Sequence, residues 1–345
     1  METYQLLKEL CDLAAPSGRE RSAAETLTRL LDGRFDRMET DPLGNLLVEK
    51  RAARADAPTL LLDAHMDEVS FAVTGEKEGF LTFLNLGGVD PRILMANEVL
   101  VHGRETVPGV VTCMPPHLST AEERKKAPAV KELCIDVGLP QERVRELLPP
   151  GSAVTLRAEL HELSGGRVAG KSLDNRAGAA AVLLAYLNVW ERIRNYNLKL
   201  LFSVQEEVGL RGARTGVAAA EPEECVVVDV THAYTSDARR EETGMMGEGV
   251  MIGIAPILDR GMFETFRALA QKQRIPHQIE VMNGSTGTNA FSIHNYGTGV
   301  RTGLLSIPLK YMHTSVELID RRDLRSTVDL LSAYLLEREG VFGRV

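Results

Sequence analysis

The sequence contains few cysteines, and their spacing excludes two kinds of site. The four cysteines, Cys11, Cys113, Cys134 and Cys225, are scattered without a Cys-x-x-Cys pair. Neither a thiolate zinc site nor a disulfide scaffold is therefore indicated. A metal site in this chain would have to use histidine and carboxylate side chains.

The sequence also lacks a long basic run, a long apolar run and a leader. The formal net charge is −8, without a stretch of lysine and arginine, which argues against nucleic acid or an anionic membrane as the partner. No stretch approaches the roughly 18 apolar residues of a membrane-spanning helix. The first residues, METYQLLKELCD, are acidic and do not resemble a signal peptide. We expect a soluble, cytoplasmic protein.

The chain is long enough for a sizeable core and more than one domain. It has 345 residues, of which 44% are hydrophobic and 26% charged, ordinary values for a folded protein. A chain of this length exceeds the usual size of a single core. We therefore expect one large domain and a smaller one.

Helical and strand-like patterns alternate over most of the chain, which predicts an α/β fold. Short continuous apolar runs are typical of buried parallel strands. The predicted strands lie at 58–64, 198–204, 225–230, 250–254, 278–281 and 299–306, with a strand–turn–strand unit at 37–49. The predicted helices lie at 4–14, 23–31, 177–190, 261–274, 290–295 and 322–336.

The pattern differs between residues 70 and 161. Glycines and β-forming residues alternate there without helical periodicity, which indicates a small barrel. Because α/β character resumes directly afterwards, we expect residues 70–162 to form an inserted β-rich domain. Residues 1–69 and 163–345 would form the catalytic domain. The expected fold class is thus α/β: a three-layer α/β/α sandwich with an inserted small β-barrel-like domain.

Residues 198–213, LKLLFSVQEEVGLRGA, place two carboxylates at the end of a predicted strand. Sites in open α/β sheets form outside the carboxyl ends of strands, so one glutamate could bind a metal while the other moves protons. Adjacent strand residues point to opposite sides, so we expect different roles for Glu206 and Glu207. Taken alone, such a pair is more often a solvated strand end.

Four further candidates lie at the ends of predicted elements. His65 and Asp229 stand at strand ends, Asp174 stands at a helix start as a good N-cap, and His313 lies in the last loop. Each could be ordinary when taken alone. Together with the glutamate pair they form a nitrogen and oxygen ligand set that suits Zn²⁺, Co²⁺ or Mn²⁺. The set is large enough for two metals that share a bridging carboxylate.

Five segments of the chain resemble one known family. They are DAHMDEV, KSLDNRAG, VQEEVGLRGA, VVVDVTHA and IPLKYMHTSVE. The same segments, in the same order and at similar spacing, mark the tetrahedral (TET) or glutamyl aminopeptidases, dinuclear metallo-aminopeptidases that include the deblocking aminopeptidases. Within the predicted insertion, PPHLSTAEERKK and LCIDVG also resemble this family. The resemblance covers nearly the whole chain.

The resemblance implies the metal ligands of the site. Asp174 would bridge both metals, His65 and Asp229 would complete one site, and Glu207 and His313 would complete the other. The implied cofactors are two divalent metal ions per subunit, Zn²⁺ first, with Co²⁺ or Mn²⁺ as alternatives.

The resemblance also implies the reaction. Glu206 would be the general base on a metal-bound water, whose pKa can fall from 15.7 to about 7. Asp67 would hydrogen-bond a neighbouring group and hold the site in shape. The substrates would be peptides with a free N-terminus, from which N-terminal residues are removed. The insertion would serve dimerisation, and the chain would form a homo-oligomer, in this family a tetrahedral dodecamer.

Two residues stand apart from the implied ligand set. Relatives commonly read Gly-Thr-Asp-Ala where this chain reads Gly-Thr-Asn-Ala, so Asn289 replaces a carboxylate that we expect near the substrate. The preference for one N-terminal residue over another stays open for this reason. His232, three residues after Asp229, is expected to support the site without binding metal.

Two alternative functions remain at this stage. A related dinuclear amidohydrolase, a carboxypeptidase or deacylase, would carry similar residues. Its extra domain follows the paired glutamates, however, whereas the predicted insertion here lies between His65 and Asp174. A non-catalytic assembly protein could keep the fold without turnover, which only Asn289 suggests.

Overall fold

The computed structural model describes residues 2–115 and 117–344 of the chain. Its α-helices are α1 (Thr3–Cys11), α2 (Arg21–Leu31), α3 (Gln141–Leu147), α4 (Leu173–Val189), α5 (Arg211–Ala220), α6 (Arg260–Gln273), α7 (Ala290–Ile293) and α8 (Arg321–Phe342). Its strands are β1 (Arg37–Thr40), β2 (Leu46–Lys50), β3 (Thr59–His65), β4 (Ser70–Lys77), β5 (Phe80–Leu86), β6 (Glu98–His102), β7 (Thr106–Thr112), β8 (Cys134–Asp136), β9 (Ala153–Leu156), β10 (His161–Leu163), β11 (Arg167–Gly170), β12 (Asn197–Ser203), β13 (Glu224–His232), β14 (Val250–Ile254), β15 (His277–Val281), β16 (Arg301–Lys310) and β17 (Glu317–Asp320). None of the helices in these described ranges is both long and apolar enough to cross a membrane.

A mixed sheet forms the middle layer of the larger part of the molecule. Its strands run in the order β1-β2-β12-β3-β13-β16-β17-β11-β10, and β14 and β15 branch from β16. The central strands β12, β3, β13 and β16 are parallel to one another. Their carboxyl ends therefore meet at one edge, where ligand sites form in open α/β sheets.

Helices cover both faces of this sheet, as the side chains of β3 show. Leu60 and Leu62 pack into a core with residues of α1, α2, α4 and α8. Leu61 packs on the opposite side with residues of α5 and α7. Successive strand residues point to opposite faces, so a strand that is apolar throughout needs a helical layer on each. The predicted three-layer α/β/α sandwich is confirmed.

The strands between β3 and α4 include a closed barrel, as the alternating glycines and β-formers predict. Its strand order is β4-β5-β8-β7-β6-β9. Apolar side chains such as Phe71, Phe83, Val99 and Val101 fill a core separate from those of the sandwich. The prediction missed α3 within this region because the helix is short and only Val144 and Leu147 of it are buried.

Several elements of the sandwich differ from the sequence-based expectation. Helix α5 and the short strands β10, β11 and β17 were not predicted. Strand β16 was expected to end at residue 306 but continues to Lys310 through Pro308. The proline is tolerated because the pairing of β14 with β16 ends at Ser306 and that of β17 begins at Leu309, so its missing N–H interrupts neither ladder.

A buried ion pair ties the N-terminal segment to the start of α4. The ammonium of Lys171 lies 2.7 Å from the carboxylate of Glu68 and donates to the carbonyl oxygen of Leu13 at 2.8 Å. Glu68 also accepts from the backbone N–H of Ala15 and from the hydroxyl of Ser172. Despite burial, which opposes ionisation, Lys171 lowers the pKa of Glu68.

We expect Lys171→Met to destabilise the fold by about 3–5 kcal/mol, because it leaves a buried carboxylate without its cation. Urea denaturation would measure this loss. The matched control is Lys8→Met, which removes a lysine paired with Asp12 at the surface and should cost less than about 1 kcal/mol. Equal losses in the two variants would contradict the role assigned to the buried pair.

Candidate active site

The five predicted metal ligands come from five segments and meet at the carboxyl edge of the sheet. His65 ends β3, Asp174 lies near the start of α4, Glu207 follows β12, Asp229 lies in β13 and His313 follows β16. They form two groups, each with ligand atoms within 4.8 Å of one another. One group is His65, Asp174 and Asp229, and the other is Asp174, Glu207 and His313. Asp174 belongs to both.

The carboxylate of Asp174 faces a histidine with each of its oxygens. Its Oδ1 lies 3.2 Å from Nε2 of His65, and its Oδ2 lies 3.3 Å from Nε2 of His313. Oδ1 of Asp229 is 3.9 Å from the same nitrogen of His65, and Oε2 of Glu207 is 3.4 Å from that of His313. One carboxylate thus lies between two ligand groups, as a bridging ligand would.

The two adjacent glutamates both reach the site, and the reason expected for their division was wrong. Strand β12 ends at Ser203, so Glu206 and Glu207 lie in the following loop and not on alternate faces of a strand. Gln205 adopts a left-handed conformation with φ of 54°, which turns the chain. Oε2 of Glu206 lies 4.0 Å from Nε2 of His65, whereas Glu207 lies beside His313.

Asp67 holds the glutamate loop through its backbone. Its Oδ1 accepts from the N–H of Glu206 at 3.0 Å, and its Oδ2 accepts from the N–H of Glu207 at 3.2 Å. The hydroxyl of Ser17 donates to Oδ2 at 2.7 Å, and Nδ1 of His65 lies 3.3 Å from Oδ1. One buried carboxylate therefore positions a histidine and both glutamates.

Two details of the predicted placement need correction. Asp174 was expected to cap α4, but the side chain that accepts from the first helical turn is Asn175, through its Oδ1 and the N–H of Gly178 at 3.0 Å. The carboxylate of Asp174 is free for other partners as a result. Asp229 was expected at the end of a strand, yet β13 continues past it to His232.

Glu317 is a buried residue of the site that the sequence analysis did not single out. Its Oε2 accepts from the N–H of Asp174 at 3.0 Å, and its Oε1 accepts from the N–H of His313 at 2.8 Å. It thus links the backbones of two predicted ligands. Glu317 ends the segment IPLKYMHTSVE, so its place in that motif was the available signal.

The barrel contributes a hydrogen bond to the site. Nδ1 of His313 is bonded to the carbonyl oxygen of Gly88, in the segment between β5 and β6. A carbonyl oxygen can only accept, so Nδ1 carries a proton, and in the neutral ring the lone pair of Nε2 would be available to a bound cation. The sequence analysis did not predict this contact.

The packed carboxylates shift the ionisation of the site. Burial raises the pKa of Asp229 well above its ordinary value and that of Glu206 to about 9, although His65 opposes both shifts. Burial would lower the pKa of His313, but neighbouring carboxylates, Asp174 first, raise it to about 11. If all of its carboxyl groups were ionised, the cluster would carry more negative charge than its own cations balance.

These residues fit a pair of divalent cations. Two ligands about 2.1 Å from a tetrahedral Zn²⁺ lie about 3.4 Å apart, close to the observed separations between the histidine nitrogens and the oxygens of Asp174 and Glu207. Oε1 of Glu207 is buried and has no hydrogen-bond partner among the described residues. Bound cations would supply the missing positive charge and the missing partner.

A cleft of about 550 Å³ opens over the two groups. Its far part is formed by residues after β13, by β15 and by the segment before α7. Apart from the predicted site residues, its acidic members are Glu241, Glu242 and Glu280. No lysine or arginine is present among the described residues that line it. His232 lines the cleft but belongs to neither ligand group, consistent with a supporting role.

Asn289 does not lie where the sequence analysis expected it. Its side chain is buried and is not part of the cleft lining. Thr286, Gly287 and Thr288, the residues before it, form the cleft wall. The amide in place of a carboxylate therefore does not face the substrate directly.

Comparison with known proteins places this arrangement in one family. The pattern of the M42 glutamyl aminopeptidase family matches residues 44–330. The lysyl aminopeptidase of Pyrococcus furiosus is 31% identical to this chain over 343 residues, which is 98% of each protein.

Solved structures agree with the sequence comparison. The TET aminopeptidase from a marine sediment archaeon, Thaumarchaeota archaeon SCGC AB-539-E09, is 28% identical with a TM-score of 0.92, covering 99% of this chain and 98% of that one. The TET1 peptidase of Pyrococcus horikoshii, which can assemble into a tetrahedron or a large octahedral shell, is 29% identical with a TM-score of 0.84. It covers 97% of this chain and 99% of its own. These matches confirm the resemblance seen in the five segments.

We expect Asp174→Asn to abolish most metal binding, because it weakens a ligand common to both groups, and His313→Ala to remove roughly half of it. Elemental analysis of protein loaded with Zn²⁺ and desalted would measure the metal bound per chain. His232→Ala is the matched control, a cleft histidine outside both groups, and should retain the metal. Full metal content in Asp174→Asn would contradict the bridging role.

Proposed function

This chain belongs to the M42 glutamyl aminopeptidase family, and we propose that it removes N-terminal residues from peptides with two divalent cations bound at Asp174. Membership of the family makes the protein a peptide hydrolase, as the sequence predicted. The observation that carries the dinuclear proposal is the placement of Asp174, whose two oxygens face His65 and His313 in separate ligand groups.

The ligands in this proposal are those of the two groups. His65 and Asp229 hold one cation, Glu207 and His313 hold the other, and Asp174 holds both. When bound, the cations would lower the pKa of a water and polarise the peptide carbonyl. Zn²⁺ suits this donor set, and Co²⁺ and Mn²⁺ suit it as well.

Glu206 is the proposed general base. Its carboxylate lines the cleft beside the first group. It lies close to His65 and Glu207 in a third cluster of possible ligands, but it is in neither group that contains Asp174. Asp67 fixes its backbone N–H, so the side chain extends from an anchored position. Glu206 accepts a proton from the attacking water and returns it to the departing amine nitrogen. The carboxylate ends the cycle in the state in which it began.

The charge of the cleft supports a preference for the ends of peptides. A free α-ammonium group is a cation, and carboxylates surround the point where it would lie. An acidic side chain on the N-terminal residue would meet further carboxylates, Glu280 among them, and no lysine or arginine of the described lining. We therefore propose that basic and neutral N-terminal residues are accepted and acidic ones disfavoured. The similarity to a lysyl aminopeptidase supports this direction.

Residues 70–162 are proposed to form an inserted domain that pairs with a second copy of the chain. Phe80 and Leu84 of β5 and Val110 of β7 are large apolar side chains that remain exposed on the outside of the barrel. Large apolar side chains left exposed on one small domain are typical of a contact surface. The similarity to the TET1 peptidase supports a homo-oligomer such as the tetrahedral dodecamer.

The position of the barrel argues against the carboxypeptidase and deacylase alternative. The barrel strands lie between His65 and Asp174 in the chain, and the paired glutamates come after them. Peptide-hydrolase membership removes the alternative of a non-catalytic assembly protein.

We expect Glu206→Gln to keep its metal and to lower kcat by about 10²- to 10⁴-fold, the usual contribution of a positioned base. Glu207→Ala should instead lose metal. Steady-state kinetics and elemental analysis of the same preparations separate the two effects. Full activity in Glu206→Gln would exclude it as the base, and loss of metal from that variant would make it a ligand.

A panel of aminoacyl chromogenic substrates tests the cleft. We expect kcat/KM for an N-terminal Gln to exceed that for Glu by about tenfold or more, because the two side chains differ only in charge. The N-acetylated substrates should not be cleaved. Cleavage of acetylated but not free-amine substrates would exclude an aminopeptidase, and equal rates for Gln and Glu would contradict the proposed charge preference alone.

A further inference from the structure

Asn289 is part of a buried polar cluster beneath the cleft. Its Nδ2 donates to Oδ2 of Asp63 at 2.8 Å and to Oγ of Ser203 at 2.8 Å. All three residues are buried, with at most 1% of each exposed. Both N–H donors of this amide group therefore bind acceptors inside the protein, and neither is available to a ligand in the cleft.

The cluster connects three segments that form the site. Asp63 lies two residues before His65 on β3, so both side chains are on the same face of the sheet. Ser203 is the last residue of β12, pairs in register with His65 and precedes the loop of Glu206. Asn289 directly follows residues 286–288, the wall of the cleft.

The cluster has hydrogen-bond donors for one carboxylate and none for a second. Asp63 brings a carboxylate, and Asn289 brings the donors that stabilise it. Oδ1 of Asp63 and Oδ1 of Asn289 have no hydrogen-bond partner among the described residues, so the cluster has no spare donor. A carboxylate at position 289 would remove both N–H donors of the amide and turn an acceptor towards the acceptor oxygen of Asp63 in a buried site.

We propose that Asp63 and Asn289 are a matched pair in which Asn289 acts as a positioning residue. It holds the cleft wall at 286–288 against β3, which carries His65, and against the end of β12, which precedes the loop of Glu206. In this chain the carboxylate of the cluster comes from β3, and the amide at position 289 supplies its donors. The effect on catalysis rests on the proposed aminopeptidase function, whereas the pairing itself does not.

The two positions can be tested by exchanging their side chains. We expect Asn289→Asp to raise KM by about tenfold or more, because the loss of both N–H donors releases the cleft wall, and to lower the thermal midpoint by several degrees. Asp63→Asn alone should change KM less than about threefold, since an amide can still accept from Asn289. The double variant Asp63→Asn with Asn289→Asp should return KM and the midpoint close to wild type, because one carboxylate again faces one amide.

Further measurements distinguish an effect on KM from unfolding and from loss of metal. Thermal midpoint and metal content are recorded for every variant, and KM and kcat are measured well below the lowest midpoint. Asn188→Asp, on the exposed face of α4, controls for an added charge elsewhere. A purely structural role would lower the midpoint without the selective rise in KM.

The outcomes separate this proposal from the proposed function. Failure of Asp63→Asn to rescue Asn289→Asp, or a wild-type KM and midpoint in Asn289→Asp, would overturn the matched pair while leaving aminopeptidase activity in place. If the wild type cleaves no free-amine substrate, the proposed function fails. Recovery of the midpoint by the double variant would still establish the pairing, and without recovery the pairing fails too.

Discussion

The central constraint on this structure is the confinement of several carboxylates within a few ångströms of one another. Asp174, between His65 and His313, is where this charge is concentrated. Buried like charges are tolerated only with compensating cations or protons. The parallel strands bring these residues to one edge because each strand supplies its carboxyl end there. The fold therefore assembles a charge excess that divalent cations can balance.

A second set of carboxylates holds the first in place through hydrogen bonds from backbone N–H groups. Asp67 anchors the loop of Glu206, and Glu317 joins the backbones of Asp174 and His313. Glu20 likewise accepts from the N–H of Gln205. Each accepts from backbone N–H groups in loops or in the first turn of a helix, which would otherwise lack partners. These hydrogen bonds stabilise the irregular turns at the site, and the turns determine the positions of the predicted ligands.

Much of the fold, and the set of side chains that meet at the carboxyl edge of the sheet, could be predicted from sequence, because apolar periodicity and the five motifs are local signals. The barrel and the sandwich were both expected from such patterns. Features that depend on tertiary contacts could not be predicted. Gln205 adopts a left-handed conformation although it is not a glycine, so the sequence pattern did not predict the turn. The different roles of Glu206 and Glu207 were therefore expected for the wrong reason. Asn289 was expected at the substrate because the motif carries no information about Asp63, 226 residues away.

The carbonyl oxygen of Gly88 that meets His313 makes the barrel and the sandwich mechanically interdependent. A rigid rotation of one against the other cannot occur without breaking this bond and freeing the imidazole ring to turn. The second ligand group is therefore complete only when both units are folded and correctly joined. A truncated sandwich, even if it folded, would carry every predicted ligand and still lack the orientation of one of them.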